Sequence, residues 1–342
     1  MAAQKTCRLD LALQGGGSHG AFTWGVLDAL LEDGRFEFDG ISGTSAGAMN
    51  AVVLAAGFAE AKTEGLSSAA AHRLRCDLAR EKLHTFWHEV GKIGTLLAAS
   101  PASFAAQMMP WLKPVLSPAQ SNPFDINPLR RILNQLVDFD LIARLHGEKW
   151  MPQLFICATS VRTGKGEIFA NRNLSSQVVM ASACLPLLYQ AVEIDGEQYW
   201  DGGYAGNPAL YPLIYHTPAN DILLVQINPV AIEQMPTSLD DIQDRVNQIT
   251  FNAGLLSELR AIRFVTRLLE EQKLDTSRYR KIFLHQIDGG SSLMAYGSDS
   301  KVKSDWEFLQ TLFEQGRAAG EQWLKTDVKY LGVKNTMPKL LD

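Results

Sequence analysis

Residues Gly43-Thr44-Ser45-Ala46-Gly47 set a hydroxyl between two glycines, each two positions away. An apolar run containing Phe38 and Ile41 leads into this pentapeptide, and Ala46 to Ala59 continues as an apolar, alanine-rich segment of helical length. Strand, sharp turn and buried helix in that order predict a nucleophile elbow with Ser45 at its tip. Gly43 and Gly47 flank the serine where strand and helix crowd each other and leave no room for a Cβ. A hydroxyl raised at a helix N-terminus meets free N–H groups and the positive end of the helix dipole, so negative charge is favoured there.

A serine nucleophile needs donors for an oxyanion and a base for its proton. Donors are available in Gly15-Gly16-Gly17-Ser18-His19-Gly20, which follows a predicted first strand, Cys7 to Leu13, and precedes a largely apolar helix ending at Gly34. Such a loop can cradle a phosphate or hold an oxyanion. Gly15, Gly17 and Gly20 do satisfy G-x-G-x-x-G, with Glu37 or Asp39 about twenty residues on, as dinucleotide binding would require. However, the segment carrying Asp39 runs straight into the elbow, so the second strand is committed to presenting Ser45. The oxyanion reading accounts for both turns, because neighbouring strand-to-helix turns bring the Gly16 and Gly17 amides close to the serine.

For the base, two short strands, Ala191 to Ile194 and Glu197 to Trp200, flank the hairpin turn Asp195-Gly196 and deliver Asp201-Gly202-Gly203. Alone this is a plain turn; beside an elbow Asp201 is a candidate base. The competing arrangement is a triad in the order serine, acid, histidine, with His285 near the end of a late strand or His216 as its third member.

In their order, GGGSHG at 15–20, GTSAG at 43–47 and DGG at 201–203 resemble the patatin-like phospholipase family over roughly residues 8–215. The resemblance implies a three-layer α/β/α fold with a mainly parallel central sheet, Ser45 as nucleophile and Asp201 as its base. It also implies an oxyanion hole among Gly15, Gly16, Gly17 and Ser18, with Gly43 and Gly47 shaping the elbow and Gly202 and Gly203 supporting the aspartate. The implied activity is lipid acyl hydrolysis of phospholipase A, lysophospholipase or esterase type, through an acyl-enzyme and without metal or other cofactor. His19 departs from the family pattern, which usually has Arg or Lys there, so no fixed positive charge is expected at that position.

The surrounding chain must position these groups. Central strands are predicted at 153–159 and 221–228, a shorter one at 167–170, a last one at 279–286, and a helix at 176–183. One or two amphipathic helices are expected within 66–90, long helices at 239–272 and an aromatic-striped helix at 304–324. Leu96 to Phe124 is apolar but interrupted by five prolines, which reads as a packed insertion or a cap over an apolar pocket. The expected organisation is one domain, 1–342, with a cap-like helical insertion at about 61–150 and a helical C-terminal part at about 239–342. His84 and His88 stand four apart without HExxH spacing, so no metal site is expected.

Composition fits a globular enzyme, with 46% hydrophobic and 20% charged residues among 342. A formal net charge of −5 offers no general attraction to nucleic acid or to anionic membrane. No signal peptide is read at the N-terminus, and the longest apolar stretch is short for a bilayer and broken by Asn50. Four scattered cysteines suit reduced thiols and a cytoplasmic location. The expected partner is a lipid or other acyl ester, with peripheral, transient membrane contact. Oligomeric state is not readable. Acyl transfer, a serine-histidine-aspartate esterase, a polyester depolymerase, and nucleotide or lipid binding without hydrolysis stay open as alternatives.

Overall fold

The computed structural model describes residues 6–98 and 127–338 apart from 187 and 297. The proline-interrupted cap or lid expected within 96–124 therefore falls outside the described residues from 99 onward. An eight-stranded sheet forms the centre. Its parallel part contains β1 (Cys7–Leu13), β2 (Phe36–Gly43), β3 (Gln153–Ser160), β7 (Asp221–Gln226) and β8 (Phe283–Asp288), in the order β3-β2-β1-β7-β8. β4 (Gly166–Ala170) and the hairpin of β5 (Val192–Ile194) and β6 (Glu197–Asp201) extend it by antiparallel pairing beyond β3.

β7 and the part of β1 from Leu9 onward are buried on both faces because helices cover both sides of a parallel sheet. The first two crossovers are α1 (Gly20–Asp33) and α2 (Ala46–Glu60), both buried over nearly their whole lengths. Gly34 ends α1 in the left-handed conformation, its N–H donating to the Leu30 carbonyl. α3 (Ser68–Ala98) is a single helix packed against α1 and α2, where the sequence allowed two. α4 (Pro128–Leu136) and α5 (Phe139–Leu145) return the chain to β3. After α6 (Ser176–Ser182) and α7 (Tyr211–His216), the 32-residue α8 (Leu239–Glu270) crosses the rim near the carboxyl ends of the strands. The last strand begins four residues later than expected, at Phe283, after α8 and a loop. A short α9 (Gly290–Met294) then leads to α10 (Trp306–Thr326), which lies on α1 at glycine contacts. A Cβ at Gly25 or Gly316 would fall on the backbone of the opposing helix, so both glycines set the close crossing.

β1 also holds a buried acid remote from the carboxyl edge. Asp10 accepts the Thr217 hydroxyl, and burial raises its carboxyl to about 8, with nearby Asp39 adding to the rise. An unfolded carboxyl loses its proton near pH 4, so between there and about pH 8 only the folded chain retains it. Stability on this account is complete at low pH and declines as pH rises through that interval. Asp10→Asn is expected to unfold at a higher temperature than wild type at pH 9 but close to it at pH 4, by calorimetry at both values.

Candidate active site

β2 ends at Gly43, and the chain turns sharply before α2 starts at Ala46. Ser45 occupies the turn with φ 54° and ψ −120°, a conformation that costs a non-glycine residue on the order of 1–3 kcal/mol. Contacts on either side maintain it. The Gly47 N–H donates to the Thr44 carbonyl at 2.8 Å, the Thr44 hydroxyl to the Gly206 carbonyl at 2.7 Å, and the Ser45 N–H to the Ser182 hydroxyl at 2.9 Å. A Cβ on Gly47 would lie 2.2 Å from the Leu13 carbonyl oxygen, which explains the glycine after the serine.

β6 delivers Asp201 into the same crevice, although its hairpin is antiparallel to β3. The backbone of Asp201 is held by its N–H to the Cys184 carbonyl at 2.7 Å and by the Thr159 hydroxyl on its own carbonyl at 2.8 Å. Its carboxylate accepts the Gly203 N–H at 2.7 Å, and the Ser45 hydroxyl favours its ionised form. Gly202 lies so close to β3 that a Cβ would meet the Cys157 carbonyl oxygen at 2.1 Å. Burial pushes the Asp201 carboxyl up to about 7, only partly countered by the Gly203 and Ser45 hydrogen bonds. A carboxylate with that affinity for protons is a usable general base near neutrality.

The glycine loop faces the serine. Gly15 approaches so closely that a Cβ would be 2.7 Å from Ser45 Cβ, and Gly17 takes φ +60° against the Lys301 carbonyl. The Gly15 N–H is already donated to Asn207 Oδ1 at 2.6 Å, which removes Gly15 from the expected set of oxyanion donors. The N–H groups of Gly16, Gly17 and Ser18 donate to no acceptor among the described residues. His19 is buried, with Nε2 2.7 Å from the Ser300 hydroxyl. Burial, then the nearby Lys301 charge, lowers its pKa to about 4, so the imidazole is neutral at pH 7.

Four side-chain amides fix this loop. Gln14 Oε1 accepts the N–H groups of Ile227 and Asn228 at 2.8 and 2.7 Å, while Gln14 Nε2 donates to Asn252 Oδ1 at 2.9 Å. Asn228 Nδ2 donates to the Gly15 carbonyl at 2.5 Å, and Asn207 bonds the Gly15 N–H. Sequence reasoning missed all four. The available signal was amide residues beside strand ends, Gln14 after β1 and Asn228 after β7.

Ser45, Asp201 and the loop open into a cavity of about 340 Å³ with a largely apolar wall that includes Met49, Phe86, Trp87, Val90 and Ile93. Trp87 is oriented by its indole N–H on Asn50 Oδ1 at 2.9 Å, and Asn50 Nδ2 donates to the Gly20 carbonyl at 3.0 Å. Asn50 interrupts the apolar segment in order to hold the pocket wall.

Neither alternative histidine reaches this site. His285 is buried in β8, its Nε2 2.9 Å from Asp221 Oδ1 and its Nδ1 2.9 Å from the Thr336 hydroxyl. Asp221 begins β7, at the edge of the sheet opposite Ser45. The His216 ring stacks on Phe155 and its carbonyl accepts from Gln153, the first residue of β3. Of the two acids that the dinucleotide reading offered, Asp39 accepts the Arg8 guanidinium on β1. His84 and His88 stack beside Trp24 and Trp306, and no cluster of metal-binding groups exists among the described residues. His285→Ala is expected to keep kcat within about threefold of wild type while losing roughly 2–4 kcal/mol of stability, because the buried Asp221 carboxylate loses a partner. Ester hydrolysis and urea unfolding on one preparation check both halves.

An elbow serine, a buried carboxylate and loop amides without an acceptor among the described residues line one cavity of this α/β fold. The family model described as patatin-like phospholipase matches residues 11–214, and the chain belongs to that family, one of lipid acyl hydrolases. Among solved structures, VipD from Legionella pneumophila is similar at 15% identity and TM-score 0.36, covering 91% of this chain and 67% of that one. The ExoU–SpcU complex from the type III secretion system of Pseudomonas aeruginosa is similar at 19% identity and TM-score 0.31, covering 75% of this chain and 52% of that one. No curated protein sequence matches the chain.

Proposed function

We propose that this protein hydrolyses carboxylic esters of lipids, as a phospholipase A, lysophospholipase or esterase, through a Ser45–Asp201 dyad. The observation that carries this reading is the elbow Ser45 and the buried Asp201, whose ionised form the Ser45 hydroxyl favours, together at the wall of an apolar cavity. Ser45 Oγ attacks the ester carbonyl carbon as its proton passes to Asp201. Charge develops on the carbonyl oxygen, which accepts hydrogen bonds from the N–H groups of Gly16 and Gly17, with Ser18 beside them. Collapse of the intermediate expels the alcohol, which takes the proton from Asp201. Water then attacks the acyl-serine with Asp201 again as base, and release of the carboxylic acid restores the Ser45 hydroxyl.

The apolar wall suits an acyl chain, and Leu188 and Val302, both more than half exposed, extend the apolar lining outward. That rim supports shallow, transient contact with a lipid surface. No helix among the described residues is long and apolar enough to cross a membrane. The test is hydrolysis of p-nitrophenyl esters of graded chain length, followed by phospholipid and lysophospholipid. Activity that rises with chain length to an optimum and vanishes on fluorophosphonate labelling of Ser45 supports the reading. An inert, unlabelled wild-type protein overturns it.

A further inference from the structure

A second cavity, of about 450 Å³, adjoins the acyl cavity. Lys301 lines both, and His19 contributes to the second where Gly15 to Ser18 line the first. Nothing in the proposed hydrolysis uses this space, yet its inner polar groups are incompletely matched. His19 is only 3% exposed, and its Nδ1 has no hydrogen-bond partner among the described residues. A buried polar atom left in that state costs roughly 1–3 kcal/mol unless a bound group satisfies it. Half-buried Arg245 donates to the Gln248 side chain at 3.1 Å and to the Val230 carbonyl at 2.9 Å, both neutral, and makes no ion pair among the described residues. Lys301, by contrast, has Asp244 at 3.3 Å.

Among the lining residues that are at least partly buried, the two cations Arg245 and Lys301 thus stand against one carboxylate, Asp244, together with a neutral imidazole. Glu233 and Asp241, both exposed, also line it. Apolar surface from Ile227, Ile232 and Leu293 completes the lining. An anionic head seated on Arg245, in a cavity that His19 also lines, with a short aliphatic tail along those apolar side chains, matches this distribution. A rigid polyanion does not, because Asp244 faces the same space and the charge of Arg245 is single.

We infer that this second cavity binds an amphiphilic monocarboxylate, a medium-chain fatty acid anion in particular, with its carboxylate on Arg245 and His19. The compound is of the class that the proposed hydrolysis releases, but the binding itself needs neither Ser45 nor Asp201. The site also adjoins the catalytic loop, because His19 bonds Ser300 and Gly17 packs on the Lys301 carbonyl.

The experiment is calorimetric titration of the full chain with sodium octanoate, before and after filling the acyl cavity with a long-chain fluorophosphonate on Ser45. Blocked wild-type protein is expected to bind one octanoate. Arg245→Gln is expected to weaken that binding on the order of tenfold or more, as loss of a charge-assisted pair does. His19→Phe, which removes the imidazole and fills part of the space, is expected to abolish it, and unfolding curves identify any variant that has lost its fold. If Ser45 resists labelling, the unblocked chain is titrated instead, and a stoichiometry of two falling to one in Arg245→Gln carries the same meaning. Absence of octanoate binding to blocked wild type, or affinity unchanged in folded Arg245→Gln, overturns the inference.

Discussion

Asp201→Asn is expected to lower kcat for ester hydrolysis roughly 10³- to 10⁵-fold while leaving the protein folded, as loss of an essential base in a catalytic unit does. Asparagine keeps the shape and can still accept the Gly203 N–H, so geometry survives and only the capacity to take the Ser45 proton is lost. Ser45→Ala should be comparably inactive, and the double variant little worse than either, because the two groups act as one unit. The pH dependence follows from the same burial. Catalysis needs the ionised carboxylate, so kcat/KM of wild type should rise with pH through an apparent pKa near 7.

Stability should move the other way. The unfolded carboxyl ionises near pH 4 and the folded one near pH 7, so between these values the native state holds a proton that the unfolded state has lost. Stability from this group is therefore complete below about pH 4 and declines up to about pH 7. Replacing the acid by asparagine should consequently stabilise the protein at pH 8, by about 2–4 kcal/mol, and change little at pH 4. An inactive variant that is also more stable at pH 8 is a signature that a merely disrupted site would not give. Denaturant unfolding at the two pH values, beside steady-state kinetics, measures it. Retention of activity within tenfold would remove Asp201 from the role of base.

Gly47→Ala is expected to destabilise the fold by about 3–5 kcal/mol, enough to remove most soluble protein at 37 °C. The new Cβ would stand 2.2 Å from the Leu13 carbonyl oxygen and 3.0 Å from that of Gln14. Both belong to backbone that cannot yield. Leu13 pairs with Gly43 on one side and Val225 on the other, at the end of the central strand. Any shift that relieves the clash would move the glycine loop and the elbow apart. Gly65→Ala is the control. Gly65, unlike Gly47, has a positive φ, +75°, and nothing lies within 4 Å of its Cβ position, so only the backbone preference is lost, about 1 kcal/mol. Equal effects at the two positions would show that crowding between strand and helix is not what fixes the elbow.

Much of this was legible in the residues themselves. The order of glycine loop, serine elbow and Asp-Gly-Gly identified the family, because each is a local backbone requirement written in local sequence. Strands at Cys7, Gln153 and Asp221, and the hairpin at Asp195-Gly196, could be read because apolar runs and turn residues state them directly. Long-range partners were not legible. Gln14 meets Asn228 and Asn252 across more than 200 residues, and an amide in isolation does not reveal which carbonyl it will find. Gly15 was counted among the oxyanion donors because glycine loops supply amides; only the tertiary structure commits its N–H to Asn207. His285 suited a triad by chain order alone, yet its partner Asp221 lies at the opposite edge of the sheet. The extent of α3 and the delayed start of β8 were likewise set by packing rather than by local preference. Sequence by itself determined which chemistry is available, since backbone strain at a turn and the residue types that act there are local properties. The tertiary structure decided which candidate groups meet, because burial and hydrogen-bond pairing depend on which distant segments share the carboxyl edge of the sheet.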